Sequence, residues 1–165
     1  MVKERYGIKA TDRAIGLTAL QHDLSVYDLF GMLIAGGAIV IPEKGKWLDP
    51  ENWAELIREK EVTVWNSVPP FMEMYVDYLE KNRERDIVPS KLRIVVMSGD
   101  WIPVSLPDRL RSLIPNIKII TSGGPTETTV WDIANPLGKV DPNWKSIPYG
   151  KPLANAKYYV LKENM

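Results

Sequence analysis

The sequence contains no cysteine. This absence excludes a disulfide framework, a thiolate metal site and a thiol nucleophile. It fits a cytoplasmic protein, because disulfides accumulate in oxidising compartments, and a cytoplasmic location is our expectation. The first five residues are charged and carry no apolar stretch, which is unlike a secretory signal peptide.

The chain also lacks an excess of charge of either sign. Its 21 Lys and Arg residues balance 21 Asp and Glu residues, so the formal net charge is zero. Attraction to polyanions depends on a basic excess. We therefore expect neither nucleic acid nor an anionic membrane surface as a partner.

No apolar run is long enough to cross a bilayer, which takes about 20 residues. The longest, 29–41, is interrupted by Gly31, Gly36 and Gly37, and it indicates a buried helix followed by a buried strand. Apolar residues make up 45% of the chain and charged residues 25%, as in globular proteins. A chain of 165 residues can form one ordinary domain with a core.

Strand-like and helix-like segments alternate along the chain. Apolar and β-branched runs predict strands at 15–20, 38–41, 62–65, 93–97, 118–121, 130–134 and 158–161. Helical periodicity and start signals predict helices at 25–35 with Ser25 as N-cap, after Asp49-Pro50, after Pro69-Pro70 and at 106–113. The alternation predicts an α/β fold with three layers, a mostly parallel sheet with helices on both faces. Segment 136–152, rich in Pro, Gly and Lys, is expected to be a surface loop.

In such a sheet, ligands bind at the carboxyl ends of the strands. The strongest local signal there is the turn 122–129, with sequence SGGPTETT. Its backbone N–H groups and hydroxyls suit phosphate oxygens, and Glu127 could hold a hard cation such as Mg²⁺. The alternative is a simple turn between strands with solvated threonines.

The second signal is segment 22–28, with sequence HDLSVYD. Asp23 could accept backbone N–H bonds as a helix cap, or it could face a pocket and pair with a ligand ammonium. His22 is the only histidine. No Ser or Cys nucleophile arrangement accompanies it, so we expect a partly buried histidine with an ordinary hydrogen bond.

Taken together and in this order, the two segments resemble core motifs of nonribosomal peptide synthetase adenylation domains, which are adenylate-forming enzymes. Segment 23–31 resembles the fourth core motif and segment 124–127 the fifth. Segments 68–70, 97–100 and 147–155 agree with the same family. The resemblance covers essentially the whole chain, and it implies a flavodoxin-like subdomain.

The resemblance implies that the intact enzyme joins an amino acid to ATP, with Mg²⁺ present, and passes the acyl group to a carrier protein. Glu127 would be the Mg²⁺ ligand, and Thr126 would contact the α-phosphate. The other nucleotide contacts would be Gly99, Ser122, Gly123 and Gly124. The family often has an aromatic ring stacked on the adenine at the position of Gly123, which this chain lacks.

By the same resemblance, Asp23 binds the α-ammonium of the substrate. The remaining pocket positions would be Leu24, Tyr27, Ser67, Val96, Ser98, Ser122, Val130 and Trp131. Tyr27 and Trp131 would fill much of the pocket, which then suits a small side chain. The set resembles cysteine-activating domains, so cysteine is the first expectation, with serine, alanine or glycine behind it.

Several parts of the family's machinery have no match in these residues. They are the upstream phosphate loop, the downstream ribose-binding Asp, and the small C-terminal domain with its Lys. We therefore expect residues 1–165 to be a single partial domain that depends on the remainder of the adenylation domain and is inactive alone. Two alternatives stay open: a piece of an acyl- or aryl-acid ligase, and a non-catalytic α/β binding module.

Overall fold

A computed structural model describes residues 2–85, 87–128, 130–154 and 156–162, without the side chains of Val2 and Lys3. Its strands are β1 (Arg13–Gly16), β2 (Ala38–Val40), β3 (Val64–Ser67), β4 (Ile94–Met97), β5 (Lys118–Gly123), β6 (Ile133–Pro136) and β7 (Lys151–Pro152). They form a seven-stranded sheet in the order β2-β1-β3-β4-β5-β6-β7. The first five run parallel, and β6 and β7 are each antiparallel to the strand before. The mostly parallel sheet is confirmed.

Helices cover both faces of this sheet. They are α1 (Val2–Tyr6), α2 (Met32–Ala35), α3 (Pro50–Glu59), α4 (Pro69–Lys81) and α5 (Leu106–Leu113), with a π-helical turn at Tyr27–Gly31 and a 3₁₀ turn at Thr126–Thr128. Helices α3, α4 and α5 bury their apolar side chains in one cluster with Ile15, Trp65 and Met97. Residues of α1, α2 and the π-helical turn form a second cluster with Val64 and Val96 on the other face. The predicted three-layer α/β class is therefore confirmed.

Helix α3 shows how a capping residue, a proline and a buried aromatic side chain determine where a helix begins and how it packs. Asp49 accepts hydrogen bonds from the backbone N–H groups of Glu51 and Asn52, while Pro50 occupies the first helical position, where its missing N–H costs nothing. Trp53 is fully buried and meets Trp65 edge-on, with ring centroids 5.7 Å apart. Aromatic contacts of this kind fix α3 against the centre of the sheet.

The segment before α2 differs from the expected helix at 25–35. It begins as the π-helical turn, and the hydroxyl of Ser25 donates to the carbonyl of Leu20 rather than capping the helix. The strand expected at 15–20 ends at Gly16, because the chain turns where the His22 N–H bonds the carbonyl of Ala19. This early turn brings residues 22–25 over the carboxyl ends of the strands.

The carboxy-terminal part of the chain contains two further differences. The strand expected at 158–161 is absent from these described residues, and Tyr159 is 75% exposed. The edge of β6 pairs with β7 instead. The apolar and aromatic residues of 158–161 therefore do not form a strand of the sheet. Segment 136–152 is only partly a surface loop, because Leu137, Val140 and Ile147 lie in the core.

None of the described helices is long and apolar enough to span a membrane.

Candidate functional site

A cleft of about 430 Å³ opens at the carboxyl ends of the parallel strands. This is the position at which open α/β sheets bind ligands. The cleft is lined by His22, Asp23, Leu24, Ser98, Gly99, Gly123, Gly124, Pro125, Thr126, Val130, Tyr149 and Tyr158. Both segments singled out in the sequence therefore contribute to one cavity.

Asp23 lies where these two segments meet. Its carboxylate accepts a hydrogen bond of 2.6 Å from the hydroxyl of Thr126, 103 residues away in the chain. The second carboxylate oxygen lies 3.0 Å from Nδ1 of His22. Among the residues that the structure describes, no backbone N–H of the following helix bonds this carboxylate. Asp23 thus faces the cleft, as the ligand interpretation requires, and does not cap a helix.

Two aromatic rings pack against each other beside the cleft residues Leu24 and Ser98. The ring centroids of Tyr27 and Trp131 are 4.7 Å apart. The indole N–H of Trp131 donates a 2.9 Å hydrogen bond to the hydroxyl of Ser98. Leu24 and Val96 belong to the same buried cluster, and Val130 packs against it. The expected pocket residues Leu24, Tyr27, Val96, Ser98, Val130 and Trp131 therefore lie together: Leu24, Ser98 and Val130 line the cleft, and Tyr27, Val96 and Trp131 lie in the buried cluster beside it.

Ser67 is not brought to this pocket. Its hydroxyl accepts a hydrogen bond of 2.7 Å from the indole N–H of Trp65 and donates one to the carbonyl of Val68. These contacts lie on the face of the sheet that is covered by α3 and α4.

The neighbouring residue Asn66 points to the pocket face of the sheet. Its side-chain amide donates to the carbonyl of Leu24 and to the carboxylate of Asp28. Side chains alternate along a strand, and this alternation from Val64 is the signal that would have identified Asn66.

Asp28 is a second buried polar residue that the sequence reading missed. It is 3% exposed, and Asn66 donates to it at 2.9 Å. Burial raises the pKa of Asp28 to about 7, although hydrogen bonds from Asn66 and Thr18 act in the opposite direction. Asp28 and Asn66 together connect the end of β3 to the segment that carries Asp23 and Leu24.

The Gly-rich turn connects β5 to β6. The hydroxyl of Ser122 donates to the carbonyl of Ile133 within this antiparallel pair, so it is engaged in the sheet. Asp132 supports the turn from below, accepting from the hydroxyl of Thr128 at 2.6 Å and donating its N–H to the carbonyl of Gly123. No sequence pattern marks Asp132 for this role. The turn is both a strand connection and a wall of the cleft.

Two polar residues of this turn are open to solvent. Thr126 and Glu127 are exposed in the 3₁₀ turn. Gly99 also lines the cleft and has a φ of +87°, a backbone conformation that glycine adopts without strain.

The described residues contain no group of three or more metal-ligating side chains. Mg²⁺ in phosphate sites is held by one or two carboxylates plus phosphate and water oxygens, so a single exposed Glu127 fits that ion.

Comparisons with known proteins agree with this geometry. The family model described as "AMP-binding enzyme" matches residues 1–165. Pyochelin synthetase PchF of Pseudomonas aeruginosa is 43% identical over 160 residues, which cover 97% of this chain and 9% of that protein. The chain thus spans less than a tenth of this curated relative.

Two relatives of known structure extend the comparison. The nonribosomal peptide synthetase FmoA3, solved with AMPPNP and with alpha-methyl-L-serine-AMP, superposes with a TM-score of 0.91 at 45% identity, covering 99% of this chain and 17% to 18% of FmoA3. The Vibrio cholerae adenylation domain AlmE, solved with glycyl-adenosine-5'-phosphate, gives a TM-score of 0.75 at 26% identity, covering 92% of this chain and 27% of AlmE. The chain belongs to the AMP-binding enzyme family, and within it to the adenylation domains of nonribosomal peptide synthetases.

Proposed function

We propose that this chain forms the amino-acid pocket and part of the nucleotide site of an adenylation domain. The intact domain activates a small L-amino acid, cysteine before serine, alanine or glycine, as an aminoacyl-AMP. It then transfers the acyl group to a carrier protein. The nucleotide substrate is ATP, in keeping with the family and with the AMPPNP complex of FmoA3.

The observation that carries this proposal is the contact between Asp23 and Thr126. In an α-amino acid, the ammonium and the carboxylate are bonded to the same carbon. A site that activates the carboxylate must therefore place its ammonium partner a few ångströms from its phosphate contact. Asp23 and Thr126 are joined by one hydrogen bond of 2.6 Å, which suits this short spacing. A charge-assisted contact to the ammonium selects against acids that lack the amine.

In the reaction, a carboxylate oxygen of the amino acid attacks the α-phosphorus of ATP, and pyrophosphate leaves. Asp23 orients the amino acid through its ammonium, and Thr126 contacts the α-phosphate. Such positioning supplies much of the catalysis when no covalent enzyme intermediate is formed. Glu127 would hold Mg²⁺, which neutralises negative charge on the phosphates when it is bound.

The bulky residues packed beside the cleft support a small side chain. The rings of Tyr27 and Trp131 fill the space next to Leu24, and the Ser98 hydroxyl is engaged with the Trp131 indole. The two solved relatives were crystallised with adenylates of alpha-methyl-serine and glycine. Discrimination by one methylene or hydroxyl is worth only about 1–3 kcal/mol, so the preference among small amino acids is expected to be graded.

The test compares two ligands that differ only in the amine. A complete adenylation domain carrying this segment is titrated with non-hydrolysable adenylate analogues of cysteine and of 3-mercaptopropionate. We expect the cysteine analogue to bind at least about tenfold more tightly, as a charge-assisted hydrogen bond implies, and Asp23→Asn to remove the difference. Equal binding of the two analogues to the unmodified domain would overturn the ammonium role and favour an acyl- or aryl-acid ligase.

A further inference from the structure

The turn that lines the cleft carries glycine at position 123, and an aromatic ring from elsewhere in the chain lies against it. A Cβ atom built on Gly123 would come within 2.8 Å of Cδ2 and 3.0 Å of Cγ of Tyr149. Real Cβ atoms do not approach a ring this closely. The ring of Tyr149 therefore occupies the space that a side chain at position 123 would take, so position 123 accommodates only glycine while the ring stays in place.

Tyr149 is held in this position at both ends. Its hydroxyl donates a 2.7 Å hydrogen bond to the carbonyl of Asp100, just beyond the end of β4. On its other side, the carbonyl of Pro148 accepts from the hydroxyl of Thr121 in β5, also at 2.7 Å. The ring thus bridges the ends of two neighbouring strands. Because one anchor lies in β5 and the other follows β4, the ring is held against the end of the sheet on two sides.

This surface lines the cleft beside Gly99, Gly123 and Gly124. These three glycines add no side chain that could cover the exposed part of the ring. Planar heterocycles stack on aromatic faces and form hydrogen bonds with backbone groups along their edges. The turn at Thr126, which contains the proposed phosphate contact, lines the same cleft.

We infer that Tyr149 provides the stacking surface for the purine base of the nucleotide, in place of a side chain at position 123. This inference rests on the proposed function, because it takes the ligand to be an adenine nucleotide. The other tyrosine of the cleft, Tyr158, is 50% exposed and bonds Asp132 from a segment without regular structure. It lacks the two-sided anchoring of Tyr149 and is a weaker platform.

The test is a titration of a complete adenylation domain that carries this segment with AMP and, separately, with ribose 5-phosphate, followed by residue-resolved NMR. We expect AMP to shift the ring resonances of Tyr149 together with the amides of Gly124 and Thr126. Ribose 5-phosphate should shift only the amides of the turn. Tyr149→Leu should weaken AMP binding about tenfold or more, which corresponds to the loss of one stacked base, and leave the affinity for ribose 5-phosphate unchanged.

Two variants control for folding and for the hydroxyl. Tyr149→Phe keeps the ring and should retain most of the AMP affinity, and Tyr159→Leu changes an exposed tyrosine outside the cleft. If AMP shifts the turn equally in the unmodified domain and in Tyr149→Leu, the role of Tyr149 is overturned while the nucleotide site stands. If AMP shifts neither the turn nor Tyr149, the proposed function itself fails and the inference fails with it.

Discussion

The hydroxyl of Thr126 donates a 2.6 Å hydrogen bond to the carboxylate of Asp23, across 103 residues of sequence. This bond joins the segment after β1 to the turn after β5, two loops that only the parallel sheet brings together. The candidate ammonium partner and the candidate phosphate contact therefore lie side by side. Much of the functional interpretation depends on this one contact.

Replacing Thr126 tests this contact directly. Thr126→Val keeps the shape of the side chain and removes its single O–H donor, which bonds Asp23 in this structure and would turn to the phosphate when the nucleotide binds. We expect a complete domain with this change to bind the aminoacyl-adenylate analogue about ten- to a hundredfold more weakly, as for hydrogen bonds to charged groups. Thr126→Ser restores the hydroxyl and should recover most of the affinity. Comparable weakening by both variants would show that the hydroxyl alone does not account for the loss, because Thr126→Ser keeps it.

The bond between Ser98 and Trp131 is expected to stabilise the pocket. Ser98→Ala leaves the buried indole N–H of Trp131 without its acceptor, and an unsatisfied buried donor costs about 1–3 kcal/mol. Urea unfolding of the 165-residue chain measures this loss. Ser90→Ala, at an exposed position, is the matched control and should be neutral. A Ser98→Ala variant as stable as the control would mean that the indole finds another partner.

Asp28 makes stability depend on pH. Its pKa is raised from 3.8 to about 7 in the folded chain, chiefly by burial. Between these two values the folded state holds a proton that the unfolded chain has released, so the free energy of unfolding falls as pH rises through this window. The loss should be on the order of a few kcal/mol.

Denaturant unfolding at a series of pH values checks this dependence. Asp28→Asn removes the titrating group and should flatten the profile, whereas Asp108→Asn, at an exposed site, should leave it unchanged. A profile for Asp28→Asn that falls as steeply as that of the unmodified chain would show that another group is responsible.

Arg93 secures the opposite end of the sheet. It bonds both carboxylate oxygens of Asp12, which also accepts from the Thr63 hydroxyl and the Lys9 N–H. Burial acts to raise the pKa of Asp12, but the bonds from Arg93, Lys9 and Thr63 outweigh it and hold the pKa below its usual value. This contribution is therefore present at neutral pH and is lost as pH falls through the lowered pKa.

Arg93→Met should consequently destabilise the chain by about 3 kcal/mol, the low end for a broken buried pair, since the Arg93 side chain is one-third exposed. Urea unfolding at neutral pH measures the change, and Arg83→Met at an exposed position is the control. The difference between the two variants should shrink in acid. A difference that persists unchanged at low pH would rule out the carboxylate as the partner that matters.

Much of the fold was predictable from the sequence because strong local signals agree with the tertiary structure. Pro50 and Pro69 mark the starts of α3 and α4, and helix α5 has the predicted bounds, 106–113. The segment 158–161 misled because β-branched and aromatic residues favour strands only where tertiary packing provides a partner strand. In this sheet, β7 and not 158–161 takes the place beside β6.

The site was less predictable because side-chain direction depends on register. Ser67 and Asn66 are neighbours, but a shift of one residue along β3 moves a side chain to the other face of the sheet. Asn66 faces the pocket side and Ser67 the side of Trp65. Tyr149 and Asp132 could not be found from sequence alone, since their roles depend on contacts with Gly123 and Thr128 that only the folded chain creates.

Amino-acid-dependent exchange of pyrophosphate into ATP measures directly whether this segment selects a small α-amino acid for activation. Residues 1–165 would replace the corresponding segment of FmoA3, with FmoA3 itself as the reference, and the hybrid would be assayed with each of the twenty amino acids and with 3-mercaptopropionate. We predict exchange with small α-amino acids, strongest with cysteine, and its loss in Asp23→Ala. Exchange supported by 3-mercaptopropionate as well as by cysteine would contradict the account.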